Sequence, residues 1–320
     1  MRLLIGIDGG GTKTAVTAAE VRDCAPPGES IQREALLPSA SWREHGAEFT
    51  ARMLRDGVDA LAQGDEIIGV ALALPYIGES RLGDTQIDAA LGEAFAGMPY
   101  LLVNDSVAGW AGSLALESGV NIVAGTGAIA YGRDAGGMGA RCGGWDEFFS
   151  DEGSCYWLGR AACALFARES DGRAPRGPLY DIVRAQFALD EDFEFIDAVH
   201  DKLLVSREQV AAMQLLLMRA AIEGDVSACA LYDAAAQELC LLLDGIRGRI
   251  SLPESGFPVS YSGGLFKAGE LILKPFRRGI ESRGGRLVVP RLTPAQGALL
   301  LAAERFAPGA LRTLGASDCN

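Results

Sequence analysis

An α/β fold is predicted from three features of the sequence. Apolar runs of strand length alternate with stretches of helical spacing, a glycine cluster separates two strand-like segments near the N-terminus, and a second strand, glycine turn and strand recur beyond residue 119. Leu3 to Ile7 reads as a buried strand and Thr14 to Ala18 alternates with period two, so the glycines join two strands as a hairpin. Trp42 to Leu61 and Thr85 to Phe95 have helical spacing, while Glu66 to Leu74 and Pro99 to Val103 read as buried strands. Ser106 to Leu116 is a helix stopped by Gly119, where a domain boundary falls.

Val120 to Ala124, the turn Gly125-Thr126-Gly127, and Ala128 to Gly132 then repeat the opening arrangement. Glycine turns between strands are common, so two such hairpins alone do not establish a duplication. Helices are predicted at Ser154 to Arg168, Pro178 to Phe187, Ile196 to Leu204 and Arg207 to Arg249, the last divided near Gly224. Pro258 to Tyr261 and Arg286 to Val289 return to strand, Thr293 to Phe306 closes the chain as a helix, and the tail past Pro308 is expected to fray.

The 320 residues, 49% of them hydrophobic, suffice for two domains with separate cores. With 29 basic and 42 acidic side chains the formal charge is −13, which repels phosphate backbones and anionic lipid, so neither nucleic acid nor a membrane is expected as a partner. A nucleotide remains compatible, because backbone N–H groups and a bound cation handle its phosphates locally. Met1 to Ile7 meets the glycines before a secretory apolar stretch is complete, and Gln214 and Arg219 interrupt Ala211 to Ile222, short of the ~20 residues of a membrane span; a cytoplasmic location is expected. Seven cysteines without close pairing argue against disulfides or structural zinc. His45 and His200 are given no role.

Asp8-Gly9-Gly10-Gly11-Thr12-Lys13-Thr14 is the most informative segment. Gly6 and Gly11 have P-loop spacing, but Thr12 stands where Lys belongs and a strand follows. A dinucleotide fingerprint begun at Gly9 would need a third glycine where Thr14 stands. What remains is a hairpin with an acid before its glycines and hydroxyls and an amine after them. Gly10 and Gly11 allow close approach of an oxyanion, Thr12, Lys13 and Thr14 can donate to it, and Asp8 can hold a hydrated Mg²⁺; a tight hairpin with a turn-forming Asp8 is the plainer alternative, which leaves the Thr-Lys-Thr run unexplained.

At these residues the chain resembles the sugar kinase, heat-shock ATPase and actin superfamily, whose first phosphate hairpin has the pattern Asp-x-Gly-Gly-Thr-Lys/Thr. Val103-Asn104-Asp105, Gly125-Thr126-Gly127, Gly143-Gly144-Trp145 followed by Asp151-Glu152-Gly153-Ser154, and Ser262-Gly263-Gly264 stand in the order found in N-acetylglucosamine kinases and the related BadF/BcrA-type ATPases, from Ile5 to Gly297. The resemblance implies two related α/β lobes of ribonuclease H-like, actin-like ATPase topology around a central cleft. The first lobe is residues 1–118 completed by a C-terminal helix in 293–320, and the second is 119–292. It further implies ATP and Mg²⁺ as cofactors, a small amino sugar as substrate, and a homodimer as a compatible assembly.

Residue by residue, the resemblance implies that Asp8 to Thr14 and Gly125 to Gly127 contact the phosphates and that Ser262, Gly263 and Gly264 lie against the adenosine. Asp105 would accept the proton of the attacking sugar hydroxyl. It also ends an apolar strand and starts a helix, where open α/β sheets place ligands and where N-caps belong; both roles can coexist. Asn104, Cys142, Gly144, Trp145 and Asp151 would join Asp105 in sugar recognition, with Asp151 expected on a sugar hydroxyl.

Several positions depart from the pattern. Ser150 replaces the usual glycine before the acidic pair, Asp146 follows Trp145, the loop Pro38 to Trp42 lacks the Asn that commonly reaches the sugar, and Ala71 to Pro75 lacks a glycine-rich turn. The implied activity is phosphorylation of N-acetylglucosamine at the 6-hydroxyl. Glucosamine kinase is the alternative, with Asp146 or Glu147 facing an ammonium. An iron–sulfur ATPase activator is the further alternative, although Cys142, Cys155 and Cys163 match no ligand run.

Overall fold

The computed structural model describes residues 1–11, 13–21 and 32–310. The chain divides into two compact units, one formed by Met1–Asn121 with Val289–Asn320 and the other by Ile122–Val288. Thr12, Cys24, Cys319 and the last ten residues lie outside the described residues.

The first unit is built on β1 (Arg2–Gly9), β2 (Lys13–Glu20), β3 (Gln32–Pro38), β4 (Glu66–Leu74) and β5 (Tyr100–Asn104), in the order β3-β2-β1-β4-β5. β2 runs antiparallel to β1 and β3, and β4 parallel to β1 and β5. A strand buried on both faces reads as a continuous apolar run, which is why β1 and β4 were legible. Ile5, Ile7 and Leu72 pack with Leu54 and Val58 of α2 (Ala47–Ala62) and Ile87 and Leu91 of α3 (Arg81–Ala94). The helix predicted from Trp42 is interrupted at Gly46 (φ 89°), leaving a single turn, α1 (Trp42–His45), ahead of α2.

The opposite side of β1 carries α11 (Pro294–Phe306), and α11 in turn packs on α4 (Asp105–Leu114). Glycines set both contacts. A Cβ on Gly6 would lie 2.2 Å from the Leu299 amide nitrogen, and one on Gly297 would lie 2.1 Å from the Ala108 carbonyl and 2.3 Å from the Gly112 nitrogen. Thr293 caps α11 in a capping box with Gln296.

The second sheet contains β6 (Gly119–Ala124), β7 (Ala128–Arg133), β8 (Gly139–Gly143), β9 (Phe257–Ser262) and β10 (Gly285–Leu287), in the order β8-β7-β6-β9-β10. This is the serial order of the first sheet, and β7–β8 and β9–β10 pair antiparallel and parallel as β2–β3 and β4–β5 do. The duplication that two hairpins could not establish is thus present in the topology. The helices are α5 (Cys155–Ser170), α6 (Pro178–Phe187), α7 (Glu194–Ala198), α8 (Arg207–Ile222), α9 (Val226–Arg247) and α10 (Glu270–Glu281).

Four expectations need correction. The helix predicted at Ile196 to Leu204 is α7 followed by a π-helical turn, Val199–Leu203. The segment Pro308–Ala310 forms a 3₁₀ turn with Ala310 buried, so the chain is ordered at least that far. α10 went unpredicted because Pro275 lies inside it, yet Ile272, Phe276 and Ile280 bury one face. Finally, α9 is long and apolar enough to cross a membrane, a segment the sequence reading passed over; it packs on α5, α8 and α10 and buries Tyr232, Leu239 and Leu243 in this unit.

The glycine contacts lead to a first prediction. Gly297→Ala drives a methyl group into the backbone of α4, which no rotamer change relieves, and should cost about 3 kcal/mol or more. Urea denaturation of the purified variant measures it.

Candidate active site

Two carboxyls meet at the carboxyl ends of the first sheet. Asp8 is the penultimate residue of β1 and pairs with Ala73 of β4; Asn104 ends β5 opposite Leu74, and Asp105 opens α4. Burial, reinforced by the neighbouring Asp105 charge, pushes the Asp8 carboxyl up to about 7. Asp105 Oδ1 accepts from the Ser106 amide at 2.8 Å.

The glycine turn after Asp8 is tightly held. Gly9 packs against Leu74 and Ala40 where a Cβ would not fit, the Gly10 amide donates to the Lys13 carbonyl at 3.0 Å, and the Gly10 carbonyl accepts from the Ala40 amide at 3.2 Å. Gly11 faces open space and Lys13 is exposed, so both are accessible to an anion. Thr14 is not: it is fully buried and donates its hydroxyl to the Pro38 carbonyl at 2.8 Å, which makes it an anchor between β2 and β3 instead of a phosphate donor.

Asn104 is likewise committed. Its Oδ1 accepts from the Ser106 amide and hydroxyl, capping α4, and its Nδ2 donates to the Ile77 carbonyl at 3.0 Å. It orients the helix start that carries Asp105.

In the second unit, the Gly125 amide donates to the Gly127 carbonyl at 2.9 Å, and the Cys155 and Tyr156 amides at the start of α5 donate to the Gly125 and Thr126 carbonyls. Gly263, at φ 106°, comes so close to Ala124 that a Cβ would lie 2.3 Å from its carbonyl oxygen, and Gly264 lies beside Gly125. Ser262-Gly263-Gly264 is therefore brought onto the Gly125–Gly127 turn.

Asp151 has a different position from the one expected. It is 4% exposed with φ 60°; Oδ1 accepts from the Ala128 amide at 3.1 Å, and Oδ2 pairs with Arg207 Nη2 at 3.0 Å and packs on Gly127. Burial raises its pKa, against the Ala128 amide and Arg207, which lower it. This carboxylate latches the glycine turn and is not presented to a sugar. Arg207, 56 residues away in sequence, also ion-pairs with Glu147 at 3.1 Å. Sequence reasoning missed Arg207, because a charge pair across such a separation has no local signature.

The loop following β8 starts with Gly143 and Gly144, both at positive φ, and exposes Trp145 (74%), Phe148 and Phe149. Arg141 Nη2 donates to the Gly144 carbonyl at 2.6 Å. Trp145 is thus available for contact, and Cys142 packs its sulfur against Gly245 of α9.

Two sheets of one strand order, each with a glycine turn between its first two strands, define an internally repeated α/β protein. The chain belongs to the BadF/BadG/BcrA/BcrD ATPase family, whose profile matches residues 5–302. It is 25% identical over 283 residues to an N-acetylmuramic acid/N-acetylglucosamine kinase of Clostridium acetobutylicum, covering 87% of this chain and 90% of that one. It is 24% identical over 319 residues to an N-acetyl-D-glucosamine kinase of Dictyostelium discoideum, covering 94% and 97%. A crystal structure from Chromobacterium violaceum, provisionally named an N-acetylglucosamine kinase, superposes with a TM-score of 0.71 at 25% identity, covering 94% of this chain and 99% of that one.

Asp8 gives the ligand-free protein a distinctive pH dependence. Its folded pKa lies above its unfolded value, so between roughly pH 4 and pH 7 the folded state holds the proton that the unfolded state has released, and stability falls as pH rises through that window. The stability of Asp8→Asn minus that of wild type should therefore grow from pH 4 to pH 7 and level off above it, as read by urea denaturation at each pH.

Proposed function

We propose that this protein is an ATP-dependent amino-sugar kinase that transfers the γ-phosphoryl group to the 6-hydroxyl of N-acetylglucosamine. The observation that carries the reading is the pair Asp8 and Asp105, close enough to raise the Asp8 pKa, set at the strand ends beside an open glycine turn. Family membership supports ATP use, and the names of both relatives support the sugar.

In this reading Asp105 orients the sugar hydroxyl and accepts its proton. Phosphoryl transfer through a loose transition state asks mainly for that orientation, so a weak base suffices. The exposed backbone at Gly11 and the amine of Lys13 receive phosphate oxygens, with Thr12 assigned the same role. Asp8 fits Mg²⁺: a hard cation bound through one or two carboxylates, water and phosphate oxygens suits this donor set, and the cation's charge brings the Asp8 carboxyl back into its ionised form. Bound Mg²⁺ supplies charge neutralisation on the phosphates. Gly125 to Gly127 and Ser262 to Gly264 are assigned to the phosphates and the adenosine, and the two sheets to ribonuclease H-like lobes of the actin-like ATPase class, a reading supported by their shared strand order.

Glucosamine is disfavoured on this reading. Glu147 is already paired with Arg207, and Asp146 Oδ1 accepts from the Phe148 amide at 2.9 Å, so both carboxylates that would meet an ammonium are engaged. The cluster-bearing activator is disfavoured as well, because both curated relatives are named as sugar kinases.

A coupled ADP assay with N-acetylglucosamine, glucosamine and glucose tests the substrate. In that assay Asp105→Asn should lose roughly a thousandfold in kcat through the missing proton acceptor while binding ATP as wild type does. Retention of most of the rate by Asp105→Asn refutes the base assignment.

A further inference from the structure

Tyr76 occupies a backbone conformation that an aromatic residue rarely adopts. Its φ is 68°, in the left-handed region, at the point after β4 where the glycine-rich turn is missing from the sequence. A strained residue of this kind persists only where its surroundings over-determine it. Here they do so from three sides: the Trp42 ring meets Tyr76 edge-on at 6.1 Å, the Arg43 guanidinium lies 4.4 Å from its ring centre, and the Ser41 hydroxyl lies 3.4 Å from its phenol oxygen. The backbone on either side is tied as well. The Trp42 indole donates to the Pro75 carbonyl at 2.9 Å, and the Gly78 amide donates to Asp84 Oδ1 at 3.0 Å.

These contacts are the middle of a longer chain of bonds within the first unit. At one end, the Gly10 carbonyl of the glycine turn accepts from the Ala40 amide and from the Ser39 hydroxyl at 3.4 Å, and Ser39 Oγ accepts from the Ser41 amide at 3.0 Å. Fully buried Ser41 then meets Tyr76. At the other end, the carbonyl of Ile77, the residue after Tyr76, accepts from Asn104, whose Oδ1 caps the helix that begins with Asp105. Ser41 stands in the loop that lacks the expected Asn, and Tyr76 directly follows Ala71 to Pro75, the segment that lacks the expected glycine-rich turn.

We propose that Tyr76 is a positioning residue of the phosphoryl-transfer site. Through Ser41 on one side and Ile77–Asn104 on the other, it fixes the spacing between the Gly9–Gly11 turn and Asp105. The buried serine and the strained tyrosine form one strut between the two. Because phosphoryl transfer depends on alignment of hydroxyl and phosphate, loosening the strut acts on kcat more than on nucleotide binding. The inference rests on the reading of Asp105 as the group that orients the sugar hydroxyl.

A double-mutant cycle tests it, with Tyr76→Phe, which removes only the phenol oxygen, Ser41→Ala, and the two combined. Each single variant should lose roughly tenfold in kcat with KM for ATP within about twofold of wild type, and the double variant should be no worse than either single. Ser41→Thr, which restores a hydroxyl, should recover most of the rate. Strictly additive losses, or variants that lower only the melting temperature and leave kcat intact, overturn the proposal. Failure of the underlying reading is seen separately, as a near-normal rate in Asp105→Asn, and is independent of the outcome of the cycle.

Discussion

The first unit depends on how closely α11 approaches β1 and α4. Backbone meets backbone there because Gly6, Gly297 and Gly112 have no side chain to separate them; a Cβ on Gly112 would lie 2.3 Å from the Thr293 carbonyl. The Arg291 and Leu292 amides donate to the Ser113 and Gly112 carbonyls at the same place, at 3.1 Å each. β1 carries Asp8 one residue before its end and α4 starts with Asp105, so one helix from the far end of the sequence braces the two elements that carry the site's carboxyls. Close packing of this kind transmits position well, because interiors of near-crystalline density yield little to local strain.

The electrostatics follow from that geometry. Asp8 is held in a buried place beside a second carboxyl, an arrangement that costs free energy whenever both are ionised. A protein tolerates such a pair where a ligand repays it, and a divalent cation with a nucleotide does so directly. The same logic accounts for a chain of net charge −13 being suited to a polyanion. In the proposed reading the repulsion is removed locally, beside a turn whose Gly10 carbonyl is already occupied.

Much of this was legible in sequence where burial is two-sided and local. β1 and β4 read as apolar runs, and the glycine turns announced themselves. The two missed strands, β3 and β8, are the third strand of each half and the outer edge of each sheet. β3 alternates half-buried and exposed positions, with Leu36 70% exposed, and Gly139–Gly143 of β8 has two glycines in five residues, so neither offers an apolar run to detect. The site was legible as a set of segments but not as a division of labour. Thr14, Asn104 and Asp151 have the residue types of ligand contacts, yet their polar atoms are consumed by Pro38, Ser106 with Ile77, and Ala128 with Arg207. Only the fold shows which polar groups are committed, because their partners are distant in sequence.

The repeated architecture gives this division a physical logic. Both halves place a glycine turn between their first two strands, and both satisfy that turn's carbonyl oxygens from inside the protein. In the first, Gly10 accepts from Ala40 and Ser39; in the second, Gly125, Thr126 and Gly127 accept from Cys155, Tyr156 and Gly125. The means differ, a loop from the edge strand in one case and a helix N-terminus with a buried carboxylate latch in the other, while the result is the same. The Gly10 and Gly125 amides are spent as well, on the Lys13 and Gly127 carbonyls, so each turn is closed on itself and braced from its surroundings. Side chains expected on the ligand supply part of this bracing: Asp151 holds the second turn through the Ala128 amide, and Thr14 ties β2 to β3 beside the first.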